Sequence, residues 1–200
     1  MNMEKKFELT DNFIINAFGV KLFQIKCTKS FKYAKEGDLG GYVEKDENLD
    51  QESDAWVYGN AWVYGNARVS GNARVSGNAE VYGNAWVYGD AEVYGNAEVY
   101  GNAWVYGDAR VYGNARVYGN AEIDNNNKHC GFDCFGSANR HTHAYLTKEN
   151  KVEITCGCFR GSIEEFEKRV EETHSGTIYE KQYKAIIDVI KIKFGLTDLI

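Results

Sequence analysis

The centre of the chain repeats a six-residue pattern of small, apolar and polar positions. From Ala55 to Asn120 the unit Ala-x-Val-(Tyr or Ser)-Gly-(Asn or Asp) occurs eleven times without a break, and a degraded twelfth unit follows at residues 121–126. A period of six fits neither an α-helix nor a coiled coil, whose apolar residues recur about every 3.6 or 3.5 positions. Glycine and asparagine tolerate left-handed backbone angles, so each unit predicts a short strand followed by a corner.

Three corners close a triangle, so three units of six residues predict a coil of 18 residues. If valine points inward, the residues on either side of it point outward, because neighbouring side chains of a strand lie on opposite faces. Stacked coils then pair their strands in parallel and enclose columns of valine and alanine. Val43 and Leu49 lie 12 and 6 residues before Ala55, in the register of the alanines. We therefore predict a parallel β-helix over residues 43–126.

The two flanking segments predict smaller structures. The open end of a solenoid exposes backbone groups and apolar interior, so residues 1–42 are predicted to form an N-terminal β cap. Residues 127–200 predict a C-terminal α+β module in the order ββαα, with a hairpin near residues 144–156. Its first helix begins after Ser162, which has Glu165 as its partner in a capping box. The predicted fold class is therefore mostly β, with a small α+β module at the end.

The pattern resembles known repeat proteins. Valine four residues before alanine is similar to the hexapeptide repeat of left-handed parallel β-helices, and this resemblance implies a left-handed coil. The flanks extend the likeness, at residues 19–26 (GVKLFQIK), 35–44 (KEGDLGGYVE) and 156–166 (CGCFRGSIEEF). These segments look like parts of a phage and prophage protein family that carries A-x-V-Y-G-N repeats. The resemblance implies a phage-type protein and names no activity.

Composition narrows the classes of function and compartment. The chain has 23 basic and 29 acidic residues, and its net charge of −6 argues against nonspecific nucleic-acid binding, which needs a basic surface. The apolar runs are only a few residues long, so no membrane span is expected. No secretion leader is recognised after Met1, and the five cysteines are an odd number. We therefore expect reduced thiols and a cytoplasmic location in a bacterial host cell.

Enzymatic activity is not predicted, although one enzyme class remains an alternative. Many hexapeptide-repeat proteins are acyltransferases, and those similar enzymes are usually trimers with a histidine base in a cleft between subunits. Residues 55–126 contain no histidine, and substrate loops do not interrupt their repeats. An enzyme would need a convergent cleft around His141, His143 or Cys156, because a base must reach the proton that it removes.

A zinc site is the one cofactor hypothesis that the sequence supports. Cys130 and Cys134 lie four residues apart, and Cys156 and Cys158 lie two apart, so together they could supply four thiolates. Tetrahedral zinc uses such ligands, although a spacing with one intervening residue is shorter than usual. The alternative is that Cys156 and Cys158 end a strand and that one or both pack as small apolar side chains.

The outward positions of the repeats are rich in aromatic residues. All four tryptophans occupy the x position, and nine tyrosines follow valine. Aligned by coil, one tyrosine column is uninterrupted and lies beside a tryptophan, while two tryptophans stack on another face. Such ladders stabilise a sheet by themselves, yet large exposed apolar patches are typical of interfaces and ligand surfaces. The candidate binding or interface residues are Trp62, Tyr64, Tyr82, Tyr100, Tyr118, Trp86 and Trp104.

These observations predict a non-enzymatic, phage-type scaffold or binding protein that acts through the outer faces of its β-helix. We expect a homo-oligomer, with a trimer as the expected state, because closed symmetry is common and tyrosine and tryptophan are enriched at interfaces. One alternative is a sponge that sequesters a host nucleotide-type immune signal, because aromatic side chains suit base stacking. The other alternative is the hexapeptide-repeat acyltransferase.

Overall fold

The N-terminal segment forms the predicted β cap. In the computed structural model, which describes residues 5–196, an antiparallel meander consists of β1 (Phe7–Ile15), β2 (Lys21–Cys27) and β3 (Leu39–Val43). β3 also pairs in parallel with Trp62–Val63 of the repeats. The cap and one face of the repeats are therefore a single continuous sheet.

The repeats form a parallel β-solenoid of about five turns, as the six-residue period predicts. Each unit contributes a two-residue strand, x-Val, and strands 18 residues apart pair in parallel, as Val75 does with Val57 and Val93. The left-handed sense that the family resemblance implies stays a prediction. The strands of the repeats are β4 (Trp56–Val57), β5 (Trp62–Val63), β6 (Arg68–Val69), β7 (Arg74–Val75), β8 (Glu80–Val81), β9 (Trp86–Val87), β10 (Glu92–Val93), β11 (Glu98–Val99), β12 (Trp104–Val105), β13 (Arg110–Val111), β14 (Arg116–Val117) and β15 (Glu122–Ile123).

The interior of the solenoid is filled by the valine and alanine columns. Every repeat valine from Val57 to Val117 is 0% exposed, and the repeat alanines are buried beside them. The corner glycines have positive φ, and a Cβ on Gly71 would lie only 2.8 Å from the backbone nitrogen of Gly89 in the next coil. Glycine is therefore required at the corner by both backbone conformation and the close approach of stacked coils.

The upstream register differs from the sequence prediction. Val43 pairs with Val63, and Leu49 forms a bridge with Val69, so these side chains continue the valine columns. Their predicted alanine register is therefore wrong. Leu49 is followed by Ala55 after six residues, whereas four separate valine from alanine within the repeats, so two additional residues enlarge this coil. The bulge that holds them contacts the cap.

Polar groups of the cap saturate the open edge of the first coils. The Lys6 side chain is buried, and its ammonium donates to the backbone oxygens of Ser53 at 2.6 Å and Ala55 at 2.8 Å. Burial lowers the pKa of Lys6 to about 8, because an ammonium loses its hydration inside the protein. The carbonyl contacts replace part of that hydration, so Lys6 closes an edge that would otherwise be unpaired.

The C-terminal module has a larger sheet than predicted. A four-stranded antiparallel sheet precedes two helices, so the order is ββββαα and the predicted ββαα order missed two strands. Ser162 and Glu165 form the predicted capping box at the start of the first helix. The elements are β16 (His129–Phe135), β17 (Arg140–Leu146), β18 (Val152–Cys156), β19 (Phe159–Gly161), α1 (Ile163–His174) and α2 (Ile178–Lys193), and short 3-10 turns span Asp46–Asn48 and Asn126–Lys128.

The module docks on the last coils through one face of its sheet. Thr155 donates from its hydroxyl to the backbone oxygen of Arg116 at 3.3 Å, and the Tyr145 hydroxyl lies 3.3 Å from the backbone oxygen of Tyr118. The opposite face packs on α1 and α2 as a separate apolar cluster. The sheet is thus held between the solenoid and the helices. In the range 5–196, no helix is long and apolar enough to cross a membrane.

Candidate functional site

The predicted tyrosine column is a closed ladder. The rings of Tyr64, Tyr82, Tyr100 and Tyr118 stack in sequence, with centroid separations of 4.9, 4.7 and 4.7 Å. Tyr64 and Tyr82 also donate from their hydroxyls to the carboxylates of Glu80 and Glu98. Ring faces are therefore turned toward each other along the solenoid axis, and only the ring edges are available on the outer surface.

Cations from neighbouring segments cover the ends of two aromatic stacks. The Arg160 guanidinium lies 4.8 Å from the ring centroid of Tyr118. On another face Trp86 stacks on Trp104 at 5.8 Å, and the Lys148 ammonium lies 3.8 Å from the Trp104 ring. These cation–π contacts close the ring faces that the stacks would otherwise expose. Most of the predicted aromatic site residues thus serve each other.

Trp62, the remaining predicted aromatic residue, lies at the cap end of the solenoid. Its backbone pairs with Tyr42 of β3 and Glu80 of β8, and its side chain is half-buried. It therefore belongs to the sheet that joins the cap to the repeats.

One tyrosine stack ends differently. Tyr94 and Tyr112 stack at 5.3 Å, and Tyr112 is 54% exposed, the most exposed of the repeat tyrosines. In the described part of the chain, no second ring or cation lies over Tyr112 on its other side. The sequence gives no sign of this difference, because Tyr112 occupies an ordinary repeat position.

Tyr112 lines a cleft between the last coils and the C-terminal sheet. The cleft has a volume of about 500 Å³. Arg110 and Lys193 contribute positive charge to its walls, and Asp133 contributes one carboxylate. Clefts at the junction of two structural units are common ligand sites. The lining residues are Tyr94, Arg110, Tyr112, Ala115, Asn126, His129, Cys130, Gly131, Asp133, His141, His143 and Lys193.

Two buried histidines form the floor where the module meets the solenoid. His129 Nδ1 lies 3.0 Å from His143 Nε2, and His143 Nδ1 lies 3.4 Å from the backbone oxygen of Arg116. Burial, with a smaller contribution from the Lys193 charge, lowers the pKa of His129 to about 4. Burial also holds the pKa of His143 well below its usual range. Both rings are therefore neutral near pH 7 and act as a hydrogen-bonded structural pair.

His141 is the group in the cleft with unused hydrogen-bonding capacity. Its Nδ1 lies 2.7 Å from Asp133 Oδ1, and its side chain is only 10% exposed. Its Nε2 is buried and has no hydrogen-bond partner within residues 5–196. A Cβ at Gly131 would lie 2.7 Å from the His141 ring, so glycine makes room for the imidazole.

The Asp133–His141 pair matches a requirement that the sequence set for an enzyme, namely a cleft around His141 and His143. A carboxylate that accepts from Nδ1 orients the imidazole and leaves Nε2 toward a reacting group. Cys156, the third residue in that expectation, faces the helices instead. The acyltransferase alternative stays a prediction.

The structure does not bring the four predicted zinc ligands together. Cys130 is half-buried in the cleft wall, where burial raises its thiol pKa to about 11, whereas Cys134 and Cys158 are exposed. Cys156 ends β18 and is buried, with its sulfur 3.8 Å from the Tyr183 hydroxyl, as the apolar alternative predicts. Across residues 5–196, no group of three or more His, Cys, Asp or Glu side chains is placed to hold a metal ion.

Comparison with known families supports the reading of the repeats. Their coils and corners are those of a repeat family. The repeats match the YdcK beta solenoid repeat. The matches cover residues 55–71, 61–77, 67–81, 73–89, 91–107 and 109–122. They describe the solenoid and leave the cap and the C-terminal module outside. A search of curated proteins gives no match to the chain.

Acid is expected to loosen the module from the solenoid. The unfolded chain takes up a proton on each histidine near pH 6.5, whereas the folded pKa of His129 is about 4. Stability should therefore fall as the pH drops from about 6.5 toward 4, because the unfolded state binds more protons across that window. His143 acts in the same direction.

Hydrogen exchange at about pH 7 and about pH 5 measures this effect. Amides of β16 and β17 should lose protection at the lower pH, while those of the central repeats keep it. The His129→Asn, His143→Asn double variant is the matched control, and it should show little of the acid effect. Equal acid sensitivity in the double variant would contradict the assignment.

Proposed function

We propose that the protein is a non-enzymatic binding protein that holds a small anionic ligand in the cleft between solenoid and C-terminal sheet. The observation that carries this proposal is the unpartnered Nε2 of His141 in a cleft that also contains Arg110 and Lys193. A buried polar atom without a partner costs stability, so a ligand that bonds to it would gain affinity.

The fixed geometry of the two walls supports binding rather than passive packing. One wall is the solenoid, whose coils are joined by hydrogen bonds between every successive rung. The other wall is the C-terminal sheet, which Thr155 and Tyr145 tie to backbone oxygens of the last coil. A ligand that enters such a cleft needs little rearrangement of the protein, and preorganisation of this kind favours affinity.

A scaffold role through self-association is the second candidate. The favouring observation is the uninterrupted tyrosine ladder on the face that continues into the cap, where Tyr82 and Tyr100 present half-buried ring edges. A homotrimer of a phage-type protein, formed in the cytoplasm of a bacterial host, would use this face for subunit contacts. Tyrosine is enriched at such contacts.

Native mass spectrometry of the protein purified from cells tests both proposals together. The expected spectrum shows an oligomer that carries a small molecule. His141→Gln should remove the small molecule and keep the subunit number. Tyr82→Ser combined with Tyr100→Ser should lower the subunit number and keep the small molecule, since serine already occupies equivalent positions at Ser70 and Ser76.

A wild-type protein that carries no small molecule, and binds none from a mixed metabolite extract, would contradict the ligand proposal. A monomer in the wild type would contradict the scaffold proposal. Circular dichroism of each variant confirms that the comparison is made between folded proteins.

A further inference from the structure

We infer that the ligand of this cleft is a planar aromatic anion of the nucleoside monophosphate class, whose ring stacks on Tyr112 as the next rung of the tyrosine ladder. This inference rests on the proposed ligand function of the cleft. It is carried by three features of the cleft: an open ring face, two cations and a carboxylate at ring level.

The open ring face is the first feature. The Tyr64 ladder ends under Arg160, and the tryptophan stack ends under Lys148. Tyr112 instead ends its stack at the cleft, with 54% of its surface exposed and Tyr94 on its inner side. A ligand ring placed on the outer side would extend a stack that the protein has already ordered. Stacking on aromatic side chains accepts any planar base.

The positive charges are the second feature. Lys193 donates to the backbone oxygen of Asn126 at 3.2 Å and keeps other N–H groups for a ligand. The Arg110 side chain is 58% exposed, and its contact to the Glu92 carboxylate is 3.6 Å long. Guanidinium and ammonium groups form the strongest hydrogen bonds with phosphate oxygens. A ring that carries a phosphate therefore fits this wall better than a neutral ring.

The carboxylate is the third feature. Asp133 Oδ2 lies 3.7 Å from the position of a Cβ on Gly113, the residue directly after Tyr112. This carboxylate is thus at the level of the proposed ring, and its side chain is 52% exposed. A carboxylate accepts hydrogen bonds only, so it favours a ring edge that bears an amino group. Adenine has such an edge, while an unsubstituted hydrocarbon ring does not.

Calorimetric titration with three probes separates these features. Adenosine 5′-monophosphate should bind most tightly, and adenosine and ribose 5-phosphate should each bind at least about tenfold more weakly, because each lacks one set of contacts. Tyr112→Leu should weaken the monophosphate at least about fivefold and leave ribose 5-phosphate unchanged. Tyr88→Leu, in a stack on a different face, is the matched control and should change neither. Tyr112→Trp should restore binding.

Two results would overturn the inference. If ribose 5-phosphate binds as tightly as the monophosphate and Tyr112→Leu changes nothing, the ring has no role, while the proposed anion cleft stands. If adenine, guanine, cytosine and uracil monophosphates all fail to bind at about 1 mM, the ligand class is wrong. A small molecule retained in native mass spectra, and lost with His141→Gln, would then still uphold the proposed function.

Discussion

Replacing Val93 with aspartate is expected to unfold the central coils. Val93 is 0% exposed and lies between Val75 and Val111 in the interior column. The coil is too narrow to hydrate a carboxylate, and a buried unpaired charge is far more costly than a lost methyl group. A loss above about 4 kcal/mol is expected, which is a large share of the typical stability of a domain.

Thermal unfolding followed by circular dichroism measures this loss. Tyr94→Ser is the matched control, because it alters the adjacent residue on the outside, and serine is present one rung earlier at Ser76. The control should lose only the stacking of one ring, about 0.5–1.5 kcal/mol. If Val93→Asp melts at the wild-type temperature, valine does not face the interior.

Deleting residues 73–90 should preserve the fold, whereas deleting residues 73–78 should damage it. The longer deletion removes 18 residues, which is one complete coil, and every later strand meets a partner of its own face. The shorter deletion removes one side of the triangle and turns all later faces by one third of a coil relative to the cap. The C-terminal module would then also change its position around the axis.

Denaturant unfolding and hydrogen exchange compare the two deletion variants. The 18-residue deletion should keep a single cooperative transition and protection in the module sheet. The shorter deletion should lose protection around the new junction, although it removes fewer residues. Equal stability of the two variants would exclude a coil with three sides.

The coil was predictable because its determinants are local. Glycine at each corner must adopt positive φ, and alanine and valine must alternate with outward residues, so six letters define the geometry. The upstream register was not predictable in this way. Two additional residues between Leu49 and Ala55 break the period, and pairing with Val63 and Val69 restores the valine columns in space.

The cleft depends on contacts that periodicity does not contain. Tyr112 and Tyr94 are equivalent in sequence, and only the position of the docked sheet leaves Tyr112 open. His129 approaches His143 because β16 and β17 pair antiparallel, and β16 was not predicted. The Tyr64 column was selected for its continuity, but Arg160 from β19, another strand missed in the sequence, covers its end.

Location of the ligand is the most direct test of the proposed cleft. A proton–nitrogen correlation NMR titration with adenosine 5′-monophosphate reports each backbone amide separately. The account predicts saturable shifts concentrated at Tyr112, Gly113 and Gly131, with little change along the Tyr64 column. Shifts confined to that column or to the cap, or no shifts up to about 10 mM ligand, would contradict it.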